Sequence, residues 1–403
     1  MMWPAKALTL VTAALLSCAS APSPVDRPSL ESLDWEVRAQ RALVSATSYL
    51  VSQQSPDGSW RSSTYGAFKD GYSLSPVILS ALLFAPDVPG LTEAYARGVD
   101  FVSTLLDADG QLRAGFDGPS YPLESLALTA AVLSVPANRR HLASRPPLLA
   151  ELRRRQLVEN NGFGLEDPSH GGFGYSVGIP IRPPSGLPPD DARAANLPAT
   201  LVAVSALRFA GASPDDPALV AARGFILRCR NPDGGFFFSP TGGVTNKAGI
   251  GDDGRPRSYG SMTADGLRAM LKAGVGFGDP AVLAARMWLH QNFDASKASG
   301  AYPTDREPQR EAVYFYAMWS MAHALYQTSG PELETRNGPI DWRRALVLGV
   351  LPRQRPDGSF ANPATDLRED DPLLATPFAM AALALARHAS TGRRETPIPQ
   401  LAR

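Results

Sequence analysis

The sequence predicts an all-α protein, an (α/α)6 toroid of six helix pairs. Three observations lead there: a tight-turn motif recurs along the chain, amphipathic stretches precede the turns, and nearly apolar stretches follow them.

The turns come first. Gln54-Ser55-Pro56-Asp57-Gly58-Ser59-Trp60 returns as Gln354-Arg355-Pro356-Asp357-Gly358-Ser359-Phe360, and more weakly as Arg230-Asn231-Pro232-Asp233-Gly234-Gly235-Phe236. Degenerate copies are Asp107-Ala108-Asp109-Gly110, Asn160-Asn161-Gly162-Phe163, and Gln291-Asn292-Phe293 followed by Ser299-Gly300-Ala301-Tyr302. The anchoring glycines Gly58, Gly110, Gly162, Gly234, Gly300 and Gly358 are 52, 52, 72, 66 and 58 residues apart. Asp-Gly or Asn-Gly supplies the positive φ of a tight turn. The proline before it stops the incoming helix. The aromatic after it is placed to fold back on that helix, and the glutamine to bond backbone groups left open at helix ends.

Six amphipathic helices are expected before the turns: 35–53, 92–106, 148–158, 217–228, 280–291 and 340–351. Six runs rich in Ala, Leu, Ser and Thr follow them: 73–85, 120–135, 195–211, 259–273, 311–327 and 372–389. These are apolar nearly all round, as a buried helix is. Six buried helices inside six amphipathic ones close into a toroid. An open solenoid would leave the inner set half exposed.

Composition narrows the function classes. The 403 residues carry 39 basic and 39 acidic side chains, a formal net charge of zero, which argues against nucleic-acid binding. Only 2 cysteines rule out a disulfide scaffold. Lys6 and the apolar run from Ala7 to Leu16 read as a signal peptide, too short to span a bilayer. Leu15-Leu16-Ser17-Cys18 resembles the lipobox of bacterial lipoproteins, so Cys18 is the expected lipidation site; Pro22 hinders the alternative cut after Ala21. Ala19 after the cysteine points to the outer membrane, the alternative being a secreted or periplasmic form. The expected organisation is a leader at 1–17, a Pro/Ser-rich tether at 18–33, the toroid at 34–389 and a polar tail at 390–403.

The Gln-x-Pro-Asp-Gly-Ser-Trp turns resemble the QW-type repeats of the prenyltransferase and squalene cyclase superfamily, and the resemblance runs from about Trp35 to Ala389. Uncharacterised bacterial secreted members are similar around Arg257-Ser258-Tyr259-Gly260-Ser261-Met262-Thr263, Asp341-Trp342-Arg343 and Asp370-Asp371-Pro372. The resemblance implies the toroid but no single activity. The D-x-D-D acid of class II cyclases has no match; Glu369-Asp370-Asp371 precedes Pro372 at a helix start, where acids meet the helix dipole. The Asp-x-Cys pair of the zinc-dependent prenyltransferases is missing at Cys229, and the Cys-Gly-Glu-Gln thioester string does not occur. No metal or other cofactor is therefore expected.

The turn loops gather at one end, where the inner helices begin, and a funnel with any binding site is expected there. Arg257, Tyr259, Tyr316 and Tyr121 are the candidate ligand-binding residues: a planar guanidinium for an anion and flat rings with polar tips. Glu311, Glu124 and Asp371 are the catalytic candidates, the two glutamates as a general acid and base. The loops at 180–191 and 241–257 are candidates to cover the funnel. The expected function is a lipid-anchored envelope protein that binds a small molecule, a lipid or an envelope protein. The alternatives are an enzyme of isoprenoid or lipid substrates, or a glycan-active enzyme using rim carboxylates.

Overall fold

The structure, a computed structural model, describes residues 30–114, 118–183, 194–241 and 245–390. The expected leader, Cys18, the tail beyond 390 and part of each candidate covering loop lie outside the described residues.

Six inner helices form a closed ring: α2 (Ser75–Leu82), α4 (Pro122–Leu133), α6 (Leu197–Phe209), α8 (Gly260–Lys272), α11 (Tyr314–Thr328) and α13 (Pro372–Ser390). Each packs on the next, and α13 packs back on α2. Outside them lie α1 (Leu30–Ser52), α3 (Leu91–Val102), α5 (Arg145–Arg154), α7 (Pro217–Arg228), α9 (Pro280–Gln291) and α12 (Trp342–Val350). A short α10 (Glu307–Ala312) precedes α11. The expected toroid is the observed one, with each outer helix running toward the turns and each inner helix away from them. No described helix is long and apolar enough to cross a membrane.

All six anchoring glycines have positive φ: +88° at Gly58, +74° at Gly110, +85° at Gly162, +87° at Gly234, +129° at Gly300 and +89° at Gly358. The turns do more than reverse the chain. The Gln54 amide donates to Gly58 O at 2.9 Å and to Ala94 O of α3 at 2.7 Å. The glutamine thus grips the neighbouring outer helix, not an open helix end as its position in the motif had indicated. Gln354 likewise donates to Gly358 O and to Ala42 O of α1, both at 3.0 Å, so the same contact closes the ring. The Trp60 indole donates to Leu50 O at 2.7 Å, folding back on α1, and its N–H donates to Ser75 of α2 at 2.9 Å. One turn therefore ties three helices together. A Cβ at Gly58 or Gly358 would run into the carbonyl of Arg97 or Ser45 on the neighbouring outer helix.

The third unit is in a different register from the one read in the sequence. Gln156 donates to Gly171 O and Ala218 O, both at 2.8 Å, and a Cβ at Gly171 would meet Ala221 O of α7. Phe173 N–H donates to Thr200 of α6 at 3.1 Å, as Trp60 does to Ser75. Gly171-Gly172-Phe173 is the true turn, and Asn160-Asn161-Gly162 begins a loop inserted into it. Two helix starts also differ. Gly338–Asp341 pairs with Glu332–Thr335 as a hairpin, and Asp341 then caps α12. Ahead of α11, Val313 leaves the helical range, and the Glu369 carboxylate accepts the N–H groups of Phe315 and Tyr316 at 2.9 and 2.8 Å.

Candidate functional site

The turn end is closed. Trp60, Phe173, Phe236 and Phe360 are fully buried there, and Tyr302 nearly so. These aromatics pack among the helices, as Trp60 does against Leu50 and Gly98, and the large cavity does not open at that end, where the funnel was expected. The space lies at the other end: a central cavity of about 1210 Å³. Its mouth is formed by the far ends of the inner helices, at Phe84, Val135 and Phe209, and by Phe277 and Gly330 just beyond two others. Its floor is formed by their first turns, at Glu124, Tyr175, Tyr316 and Pro377.

Helical periodicity builds the walls. On α4 the lining stripe is Glu124, Ala127, Leu128 and Ala131; on α11 it is Tyr316, Trp319, His323 and Tyr326. Alanines on one side leave room for the rings on the other. The Tyr316, Trp319 and Phe378 rings cluster with centroids 5.2 to 5.6 Å apart, and His323 stands edge-on to Trp319 at 5.4 Å. This is an apolar, aromatic wall around the axis of the barrel.

Polar groups are set into this wall and behind it. Asp265 of α8 is fully buried and accepts from the Tyr316 hydroxyl at 2.6 Å and from Ser320. Arg268 lies 3.4 Å from the same carboxylate, with its guanidinium 4.5 Å from the Trp319 ring centroid. Burial raises the Asp265 carboxyl above its usual range, and Arg268 opposes that shift. Burial also holds His323 neutral, well below the ordinary imidazole value, with Arg268 and Lys272 adding to the effect. Glu124 has a side-chain oxygen that is buried and without a hydrogen-bond partner. Desolvation pushes its carboxyl up to about 7.

The residues singled out in the sequence part company here. Glu124 and Tyr316 reach the cavity. Tyr121, three residues before Glu124, lies on the turn side, where Arg368 contacts its hydroxyl. Tyr259 is fully buried and packs edge-on against Tyr302 at 5.9 Å. Arg257 orders its own loop, donating to Ile250 O at 3.2 Å. Glu311 is ion-paired with Arg353 and does not oppose Glu124 in a common groove. Asp371 is buried and caps α13, accepting from Leu373 N–H at 2.9 Å. Asp265, Arg268, Lys272 and Trp319 were not singled out. Their signal was legible: Asp265, Arg268 and Lys272 are charges on one face of a helix read as buried. Among the described residues, no three His, Cys, Asp or Glu side chains gather as metal ligands.

No protein-family model matches the chain, and no curated protein does. Solved structures match it in fold. A protein from Actinoplanes aligns over 88% of this chain and 99% of its own, with 15% identity and a TM-score of 0.54. A type II terpene cyclase from Scytonema, in complex with geranylgeranyl dihydroxybenzoate, aligns over 89% and 99%, with 11% identity and a TM-score of 0.55. An unsaturated glucuronyl hydrolase specific for heparin aligns over 90% and 100%, with 12% identity and a TM-score of 0.53. The likeness is one of fold: this chain has the α/α toroid that terpene cyclases and a glucuronyl hydrolase share, and the fold alone does not select between their activities.

Proposed function

We propose that this α/α toroid holds an isoprenoid or other lipid chain in its central cavity, as a lipid-anchored protein of the cell envelope. The observation that carries the reading is the cavity itself, about 1210 Å³ and walled by Tyr316, Trp319, Phe378, Leu201 and alanines. Water fills such a space poorly, and an apolar chain entering it removes aromatic and aliphatic surface from water. The anchor expected at Cys18 fits the direction of the chain. α1 runs from the mouth end toward the turns, so Leu30, the first described residue after the tether, lies on the side of the mouth. A protein held through Cys18 would thus present its mouth toward the lipid source, and several acyl chains hold such an anchor stably.

Glu124 supports a second reading, an enzyme that protonates its lipid substrate. A carboxyl with a pKa near 7 and an unpartnered oxygen at the floor of an apolar cavity is a competent proton donor. Binding is placed first because Arg268, Lys272 and Arg286 line the same cavity. Positive charges at low dielectric raise the energy of any carbocation formed near them.

The test is native mass spectrometry of protein purified from membranes, together with titration by a fluorescent long-chain lipid. A lipid adduct is expected, and Ala131→Trp, which fills the cavity from α4, should abolish it while the fold persists. Protein that carries no lipid and takes up none, or an unchanged Ala131→Trp, would overturn the reading. Cys18→Ser should release the protein from membranes; a variant that still fractionates with them would rule out the anchor.

A further inference from the structure

The charges along the cavity are arranged one-sidedly. The acid on its lining, Glu124, is at the floor. Nearer the mouth α8 brings Arg268 and Lys272, one helical turn apart, and α9 brings Arg286. Arg268 is already committed to Asp265, Ser320 and Trp319. Lys272 and Arg286 are not. Among the described residues neither has a carboxylate within ion-pair distance, and Glu334, which borders a groove beside Arg286, makes no ion pair with it. The Lys272 ammonium instead lies 4.8 Å from the centroid of Phe209, itself 57% exposed at the rim. Arg208, close by, adds a third positive charge and donates to a backbone carbonyl.

Half-buried cations without counter-charges are unfavourable, since each loses hydration and gains no partner. Here two such cations line the entrance of the cavity, and Lys272 stands beside the exposed ring of Phe209. We propose that the mouth recognises the anionic head, a carboxylate or phosphate, of the amphiphile whose chain fills the cavity, with Lys272 and Arg286 as the head-group contacts. This assignment rests on the lipid-chain reading above and narrows it to anionic amphiphiles. The head stays at the rim, where Phe209 and Phe277 flank it, and the chain runs past Trp319 toward Glu124. The guanidinium of Arg286 offers a planar fork for two oxygens, and Lys272 a point charge.

The experiment measures displacement of a fluorescent lipid from the full chain by four probes: hexadecanoate, hexadecyl phosphate, hexadecanol and inorganic phosphate. The two anionic amphiphiles should bind about ten-fold tighter than hexadecanol, or more, as charge-assisted contacts require. Inorganic phosphate should displace nothing, because the head alone lacks the chain. In the Lys272→Gln/Arg286→Gln double variant the preference should vanish while hexadecanol binds as before, and Lys272→Arg should keep it. Equal binding of hexadecanol and hexadecanoate, or a preference that survives the double variant, overturns the head-group assignment alone. If no amphiphile enters, the lipid-chain reading falls with it. Displacement by inorganic phosphate alone would replace the amphiphile with a free anion.

Discussion

The two ends of the toroid are built on opposite principles. At the turn end, backbone approaches backbone so closely that side chains are excluded: Gly58 and Gly358 abut the carbonyls of Arg97 and Ser45, and a glutamine bridges each turn to the neighbouring outer helix. Hydrogen bonds there recur from turn to turn, and the turn aromatics are buried among the helices. Toward the mouth, side chains face a space of about 1210 Å³, and the polar groups around it, from Glu124 at the floor to His323, have shifted protonation states. A region that is fully interlocked has nothing left with which to bind a ligand. A region that leaves a cavity and unneutralised charge gives up stability and keeps the capacity to bind. The motif that identifies the fold therefore lies away from the place where function is expected.

The largest effect should come from breaking the turn end. Gly58→Val and Gly358→Val each add positive-φ strain and a clash with a carbonyl, together costing roughly 2–6 kcal/mol by denaturant unfolding. Gly110→Val is the control that sharpens the contrast. Its φ of +74° is equally left-handed but nothing lies within 4 Å of the added Cβ, so only the strain, about 1–3 kcal/mol, should appear. Equal losses at all three positions would show that close approach plays no part.

Asp265→Asn tests the polar network of the cavity wall. It leaves the Arg268 charge buried beside an uncharged amide, a loss of about 3 kcal/mol. A variant as stable as the parent would mean that Arg268 draws its compensation from elsewhere.

The smallest effect concerns Glu124 and has a definite sign. Its carboxyl rises from an ordinary 4.5 to about 7 on folding, mainly through desolvation. A raised acid pKa contributes stability that is complete below the unfolded value and is lost as pH climbs through the folded one. Stability should thus fall between pH 4.5 and 7, by at most about 3 kcal/mol from this residue. Because Glu369 and Asp265 shift in the same direction while His290, His323 and His388 shift oppositely, Glu124→Gln should remove its own share of the slope and no more. It should also exceed the parent in stability above neutral pH. Urea unfolding across the window decides it, and an unchanged slope would mean that the Glu124 carboxyl is solvated.

Much of this molecule could be read from its residues. Turn glycines need a backbone conformation that other residues avoid, and helix pairs differ in how their apolar residues are spaced; both are local properties that a string of letters carries. The ring of six inner helices, the positive φ of the anchoring glycines and the fold-back of Trp60 follow from them. The register of the third turn did not, because Gly162 and Gly171 are both left-handed glycines, and contacts with other helices, at Ala218, Ala221 and Thr200, distinguish them. Glu124 and Tyr316 were legible as candidates, yet so were Tyr121, Arg257, Tyr259, Glu311 and Asp371, which the structure spends on packing, capping and loop order. Which end of the barrel is open depends on how large the side chains of six helices are where they meet on a common axis. That sum over distant residues exists only once the ring has closed, so the tertiary structure alone decided it.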